Sequence, residues 1–446
     1  MFKLVVLISC FLLSFIGKVA AAGTNVTEIE HALVLFDPEL VPLNDSTAQL
    51  TPEVSQFLDY LSSKYKVAIS DYNDEEVSLF YEDYPRFDHL VLFPTLKKAI
   101  KNKANLNQHQ LLRFVNEGGN VFAISGSEKS TLTDGVRSFL NEVGIYPAPK
   151  NLQYTDHFNT KNQVVELKDS ENLVGKNRIL TSLTTKEYTG SAALITNSEL
   201  VQPIIKSSKT GYTSKVGEPI NGETTWTFGE QGFLAVGFQA LNNARVVWIG
   251  SSELLADSPL YKWCFQETGV IKLQFVQHVR EIEPYKPNPH LYKIKEQAIY
   301  SVGVSEYQNG EWVPFEVKND DEQLQLSFKM LDPYQRLNLK PLGPVSSKED
   351  DPQKLDAYLY SVNFTVPDHH GMFTFELDYK RNGLSYILDK KVVTVRHLAN
   401  DEFRRSWDIT NSWLYVASTV LVIASWYYFV ISYIYVGKSN LAKKDV

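Results

Sequence analysis

His31-Ala-Leu-Val-Leu-Phe36, closed by Asp37-Pro38, is the stretch on which the fold turns. An almost unbroken apolar run of this length reads as a strand buried on both faces. Thr51-Pro-Glu-Val-Ser55 comes next, an N-cap residue with proline at the first helical position, and opens a helix to about Lys64. Lys66-Val-Ala-Ile-Ser70 and His89-Leu-Val-Leu-Phe93 are further strands. Asn107 to Glu117 is helical and closes at Gly118-Gly119. Val121-Phe-Ala-Ile-Ser125 is a fourth strand, and Asp134 to Val143 a helix ended by Gly144. Strands without alternation, separated by helices of about ten residues, predict a parallel sheet covered on both sides. This α/β domain is assigned to residues 23–150.

Beyond Tyr146-Pro147-Ala-Pro149 the pattern turns to β over 151–283, with turns at Lys209-Thr-Gly211 and Asn221-Gly222. Gly232 to Phe238 and Arg245 to Ile249, with Asn242-Asn243 between, read as a hairpin, and Ser258 to Glu267 as helix-like. Part of this region either returns to the first sheet or stands apart; local pattern leaves both open. Pro284, Pro287 and Pro289 make 284–292 an extended, semi-rigid link. Residues 293–400 are all β: Tyr360, Val362, Phe364 and Val366 alternate with Ser361, Asn363 and Thr365, the mark of a half-buried strand in an antiparallel sandwich. Pro341 to Gln353 reads as a polar loop.

A chain of 446 residues exceeds one compact core, so two or three domains are expected. Two segments speak for a membrane. Residues 1–22 have Lys3, an apolar core from Leu4 to Ile16 and Ala20-Ala-Ala22, the pattern of a cleaved signal peptide. Trp413–Val436 supplies 24 mostly apolar positions without a charge. At about 1.5 Å per residue that is roughly 36 Å, enough to cross a bilayer core of about 30 Å. Trp413, Tyr415, Tyr433 and Tyr435 mark its two ends as interfacial belts. A cleaved leader then places everything before Trp413 in the lumen, with 401–412 as juxtamembrane and 437–446 as cytosolic tail. Lys443 and Lys444, fourth and third from the end, look like a dilysine retrieval signal. Ser418, Ser425 and Ser432 recur every seven residues on one helix face, a surface on which a neighbouring helix can approach closely.

The formal charge is −8; without the lysines of leader and tail and Asp445, 39 basic and 51 acidic residues remain, a net of −12. Such a body repels phosphate backbones, which argues against nucleic acid as a partner. Of two cysteines, Cys10 lies in the leader, so no internal disulfide is expected and Cys264 reads as a buried small apolar residue. Asn25, Asn44 and Asn363 each begin an Asn-x-Ser/Thr sequon. Nucleophile-elbow, zinc, P-loop and dinucleotide motifs are missing from the sequence, and no cofactor or metal is expected. Ser125-Gly-Ser127 and Gly250-Ser-Ser252 follow strands and read as tight turns, as does His369-His370 before Gly371. Asp74-Glu75-Glu76 reads as a solvated acidic turn.

Longer stretches carry a resemblance. Phe139-Leu-Asn-Glu-Val-Gly-Ile-Tyr-Pro-Ala-Pro149, Gly232 to Arg245, Val247-Trp-Ile-Gly-Ser-Ser-Glu253, Pro367-Asp-His-His-Gly-Met-Phe-Thr-Phe375 and Arg396-His-Leu-Ala-Asn-Asp-Glu402 are its most distinctive parts. Through them the chain resembles the forty-eight-kilodalton, wheat-germ-agglutinin-binding type subunit family of the eukaryotic oligosaccharyltransferase, its fungal branch especially. The resemblance implies a multidomain α/β plus β protein. Its parts are an N-terminal flavodoxin-like or amidotransferase-like parallel sheet, a β-rich middle, an antiparallel β-sandwich and one C-terminal transmembrane helix. It implies a non-catalytic accessory role in moving a preassembled glycan from dolichyl pyrophosphate to Asn-x-Ser/Thr, in the endoplasmic reticulum membrane. Implied partners are a multi-spanning catalytic subunit, a ribophorin-type subunit, the translocon and the lipid-linked glycan. Two rival readings are a lumenal hydrolase using Ser125, Ser127 or Ser251, and a stand-alone lectin-like chaperone.

Overall fold

The computed structural model describes residues 30–40, 51–126, 411–435 and 129–403, the last apart from 162, 176, 216, 218–219, 309, 318 and 346–355. Asn25, Asn44, Ser127, Lys443, Lys444 and the leader lie outside the described residues.

A nine-stranded sheet forms the first body. Its strands are β1 (His31–Phe36), β2 (Lys66–Asp71), β3 (His89–Leu92), β4 (Asn120–Ile124), β5 (Ile145–Pro147), β6 (Ala193–Ile195), β7 (Val201–Lys206), β8 (Phe233–Gln239) and β9 (Arg245–Ile249). Their order is β2-β1-β3-β4-β9-β8-β6-β5, with β7 also paired to β8. From β2 to β9 the neighbours run parallel. The hairpin β8–β9 then turns the sheet antiparallel. Of the two placements the local pattern allows, the chain thus takes the return: β9 comes back after more than a hundred residues to lie beside β4.

Alternation along β1 shows why a continuous apolar run was needed. Ala32, Val34 and Phe36 face one side and pack with Val54, Phe57 and Leu61 of helix α1 (Pro52–Lys64). Leu33 and Leu35 face the other side. They pack with Leu111 and Phe114 of α2 (Gln108–Asn116) and with Val136, Phe139 and Leu140 of α3 (Asp134–Val143). Burying each such side chain is worth about 1.5–3 kcal/mol. The helix ends follow local chemistry. Asn107 accepts from the Gln110 amide at 2.9 Å, and Gly144 leaves α3 at φ 92. Thr51 has cap geometry, but its hydroxyl makes no capping bond; Pro52 starts α1 instead. Helix α4 (Ser258–Cys264) covers β9 and stops before the expected Glu267.

The second body is a sandwich of two five-stranded sheets. One holds β10 (Val270–Arg280), β12 (Gln297–Gln308), β13 (Glu311–Pro314), β16 (Lys340–Val345) and β17 (Ala357–Thr365). The other holds β11 (Leu291–Lys293), β14 (Gln325–Lys329), β15 (Pro333–Asn338), β18 (Gly371–Tyr379) and β19 (Ile387–Arg396). Phe328 stacks on Phe373 at 4.7 Å and meets Phe364 of the facing sheet at 5.3 Å, so the core is built from both inner faces. Pairing is antiparallel except between β11 and β19.

Three local readings need correction. Residues 341–345 of the expected polar loop lie on strand β16, at a sheet edge, where proline is tolerated. The proline-rich stretch does not stretch out. It folds back on β10, with the Asn288 amide donating to the His278 carbonyl at 2.8 Å and Asn288 at φ 53. Strand β10, which precedes the prolines, pairs along its length with β12 and so belongs to the sandwich.

Helix α5 (Ser412–Ile434) is 23 residues long, apolar, and unburied by the rest of the chain. It is long and apolar enough to cross a membrane.

Candidate functional site

A parallel α/β sheet normally presents its ligand site at the carboxyl ends of the strands, where helix N-termini attract anions. In this chain that end is filled. Beyond β4, the hydroxyl of Ser125 is buried and accepts from the indole of Trp248 at 2.9 Å. Beyond β9, Gly250 lies so close to the Ser191 carbonyl and the Tyr188 hydroxyl that a Cβ there would run into both. Tyr188 in turn donates to the Ser191 carbonyl at 2.7 Å. Ser251 is buried and accepts from the Glu253 amide at 3.3 Å. Among the described residues neither serine is hydrogen-bonded to a histidine, and Ser251 also bonds the Glu253 carboxylate beside it.

The open cleft lies at the opposite end, between the two bodies, with a volume of about 1050 Å³. Glu30 precedes β1, His89 opens β3 and Asn120 opens β4, so all three mark strand amino ends. Helix α1 ends there with Tyr60 and Lys64, and α4 delivers Phe265, Gln266 and Glu267. The sandwich closes the far wall with Val270, Tyr307 and Trp312.

The cleft floor is tightly bonded. His89 Nε2 pairs with Glu30 Oε2 at 2.9 Å, and this bond holds the Glu30 carboxyl below the usual carboxylate range. Gln266 donates to Asn120 Oδ1 at 3.1 Å, and that oxygen also accepts the Arg245 amide at 2.9 Å. Tyr65 donates to Glu267 Oε1 at 3.0 Å, while Lys64 pairs with its other oxygen at 2.8 Å. Burial, followed by the Glu267 charge, pushes the Tyr65 phenol up. Tyr65 stands edge-on to His89 at 4.7 Å. Helix carboxyl ends carry partial negative charge, so the cleft disfavours phosphate and suits neutral or cationic groups.

The remaining candidate residues are dispersed. Asn363 is exposed on β17. His369 faces Tyr334 at 5.3 Å and His370 faces His397 at 3.9 Å, so the two neighbours point to different partners. No group of three metal-ligating side chains occurs among the described residues. Asp74, Glu75 and Glu76 are exposed. Cys264 is fully buried, its thiol raised by desolvation and donating to the Val121 carbonyl at 3.3 Å. On α5, Ser418 donates to the Tyr415 carbonyl at 2.9 Å and Ser425 to the Leu421 carbonyl at 2.8 Å. Sequence reasoning missed the cleft altogether, because its walls come from separate elements and share no spacing.

Two family profiles cover nearly the whole chain: "OST48, N-terminal domain" over residues 26–275 and "OST48 middle domain" over 277–437. The chain is 36% identical to the dolichyl-diphosphooligosaccharide–protein glycosyltransferase subunit WBP1 of Saccharomyces cerevisiae, over 94% of each chain. It is 30% identical to the subunit wbp1 of Schizosaccharomyces pombe, over 84% of this chain and 87% of that one. With the 48 kDa subunit of the same enzyme from Caenorhabditis elegans it shares 26% identity over 94% of each. Among solved structures, "mmIFT52 N-terminal domain" aligns with 52% of this chain and 97% of that one at 11% identity and a TM-score of 0.36, too loose a likeness to specify the fold. With both profiles placed end to end and a fungal relative aligned along almost its full length, the chain belongs to the OST48 family.

Proposed function

We propose that this chain is a non-catalytic subunit of the dolichyl-diphosphooligosaccharide–protein glycosyltransferase complex. In this reading it supports glycan transfer to Asn-x-Ser/Thr from the lumenal side of the endoplasmic reticulum membrane. The observation that carries it is the 36% identity with a subunit of that enzyme across 94% of both chains. The filled carboxyl end of the sheet supports a scaffold role, since the usual place for chemistry is occupied by Tyr188, Ser191 and Trp248. The 2-1-3-4-5 order of the parallel strands, β2-β1-β3-β4-β9, supports a flavodoxin-like reading of that sheet.

Helix α5 anchors the chain in a single pass, and its serine face packs against neighbouring subunits, the multi-spanning catalytic subunit and a ribophorin-type subunit among them. Lys443 and Lys444 act as its retrieval signal on the cytosolic side. The cleft between the bodies, lined by the aromatic side chains of Tyr65 and Trp312 and the bonded carboxylates of Glu30 and Glu267, is where contact with the lipid-linked glycan would fall. Aromatic edges with bonded carboxylates suit polyols better than charged phosphate.

Native purification from membranes in mild detergent tests the assignment. Recovery with the other transferase subunits, together with underglycosylation of many secretory proteins on depletion, is the expected result. A chain that migrates alone, with normal glycan occupancy after depletion, refutes it. The hydrolase reading, by contrast, predicts an activity of the isolated chain that Ser251→Ala abolishes.

A further inference from the structure

The sandwich meets the first body with one end. The β18–β19 turn at Gly383 is buried in that seam, its amide donating to Gln202 Oε1 at 2.9 Å. From the turn, β18 and β19 run as an antiparallel pair, so Gly371 and Arg396 lie at the far end. Nine steps along β19 at about 3.4 Å each put that end roughly 30 Å from the seam. Other pairings bring further loops to the same end. Arg280 stands opposite Ala298 where β10 finishes and β12 starts, and Thr365 stands opposite Gln297. In the hairpin β14–β15, Lys329 is opposite Pro333 and also beside Thr374 of β18.

Three segments of this end turn large apolar side chains outward. Leu331, in the β14–β15 turn, is 91% exposed, and Ile282, just past β10, is 75% exposed. Tyr285, Tyr334 and Phe403 are exposed as well. One such side chain needs no explanation, but a set gathered at one end does. Their backbones are held. The Glu283 amide donates to the Arg280 carbonyl at 3.1 Å, Tyr334 packs on Phe373 at 5.6 Å, and Glu402 next to Phe403 is bonded to Arg396 at 2.9 Å. Lysines here are offset by acids: Lys286 pairs with Glu283 at 3.2 Å and Lys295 with Asp368 at 2.6 Å. Eight residues separate Phe403 from Ser412, where α5 begins. Fully extended they reach at most about 30 Å, so an α5 that crosses the bilayer keeps this end of the sandwich within that distance of it.

We propose that the far end of the sandwich is a second membrane contact, in which Leu331, Ile282 and Phe403 enter the interfacial layer of the bilayer that α5 crosses. Tyr285 and Tyr334 lie at headgroup level, where a ring can be dry and its hydroxyl wet. The partner is a zwitterionic lipid surface, bound by apolar burial, because the paired lysines leave little for anionic headgroups to attract. One helix on a tether lets the body swing. A second contact stands the sandwich upright and fixes the height of the cleft at its other end.

The inference rests on the membrane reading of α5, and the test separates the two. The full-length chain, with any subunits that accompany it, is transferred from membranes into phosphatidylcholine nanodiscs. A small fluorophore is attached in single variants at Leu331→Cys, Ile282→Cys, Val422→Cys on α5, or Leu388→Cys, an exposed position on β19 near the seam. Cys264 is fully buried and stays unlabelled. Nitroxide-bearing lipid should quench the probes at Leu331 and Ile282 several-fold more than the probe at Leu388, and aqueous iodide should do the reverse, with or without anionic lipid. Iodide quenching at Leu331 and Ile282 equal to that at Leu388 overturns the inference, and so does lipid quenching that requires anionic lipid. Shielding of both probes from lipid and iodide alike also overturns it, since a protein partner then covers this end. Lipid quenching at Val422 without any at Leu331 sinks this inference alone, and its absence at both sinks the membrane reading of α5 as well.

Discussion

The indole nitrogen of Trp263 donates a 3.0 Å hydrogen bond to the carbonyl of Gly383, joining α4 of the first body to the β18–β19 turn of the sandwich. Both groups are buried in the seam between the bodies. The same turn is held from several sides. Gln202 accepts the Gly383 amide at 2.9 Å, Gln239 donates to the Leu384 carbonyl at 2.9 Å, and Ser385 bonds both the amide and the carbonyl of Ile271. Arg245 lies over the Trp263 ring at 4.7 Å and donates to the carbonyls of Trp263, Thr268 and Gly269. Burial lowers its pKa, and these carbonyls supply the compensating bonds.

Trp263→Phe keeps most of the packing and orphans the Gly383 carbonyl. We expect a loss of about 1–3 kcal/mol, read by urea unfolding of the full chain in detergent. Trp263→Ala adds a cavity and should cost about 3–5 kcal/mol. An unchanged midpoint in both variants would show that the seam does not hold the bodies together.

Gly250→Ala tests the filled carboxyl end of the sheet. Its backbone is not left-handed, so the penalty is steric: the new methyl group meets the Ser191 carbonyl and the Tyr188 hydroxyl. Forced repacking at a tight site costs about 1–3 kcal/mol. Thermal unfolding should fall accordingly, and a neutral effect would mean that this end has room for a ligand.

In the packing proposed for α5, the serine face would offer close approach rather than hydrogen-bond donors. Ser418 and Ser425 spend their hydroxyl protons on their own helix. Replacing Ser418, Ser425 and Ser432 by Ala should therefore leave subunit recovery near normal, while replacement by Leu should reduce it several-fold. Equal recovery of the Leu variant removes this face from the interface.

Glu402 ties the segment before the membrane helix to the sandwich. It receives both guanidinium nitrogens of Arg396 at 2.9 Å, the Ala399 amide at 2.8 Å, and the Lys293 ammonium. The Arg396 bond, then Lys293 and the Ala399 amide, hold its pKa down to about 2. An unfolded glutamate titrates near about 4.3, so the folded state binds fewer protons between these values. The tether is thus complete above about pH 4.3 and is lost as pH falls towards 2. Amide exchange around Ala399, corrected for intrinsic rates, should rise over that window, and Glu402→Gln should show the fast rate at every pH.

Much of the architecture was legible in local pattern. The apolar runs at His31–Phe36 and His89–Leu92 are strands of a doubly covered sheet, and Tyr360, Val362 and Phe364 point inwards as their alternation implies. A helix long and apolar enough to span a bilayer lies at Ser412–Ile434. Each of these signals is a period or a length, set by backbone geometry within a few residues.

Tertiary structure alone decided which strands became neighbours and which surfaces stayed open. That Arg245–Ile249 returns to lie beside Asn120–Ile124, or that Val270–Arg280 leaves the first body for the sandwich, depends on contacts between distant segments. The cleft at the amino ends of the strands, and the gathering of Ile282, Leu331 and Phe403 at one end of the sandwich, follow from such pairings. Periodicity says which face of an element is buried. The partner that buries it is chosen by packing across the whole chain, and a local window carries no record of that choice.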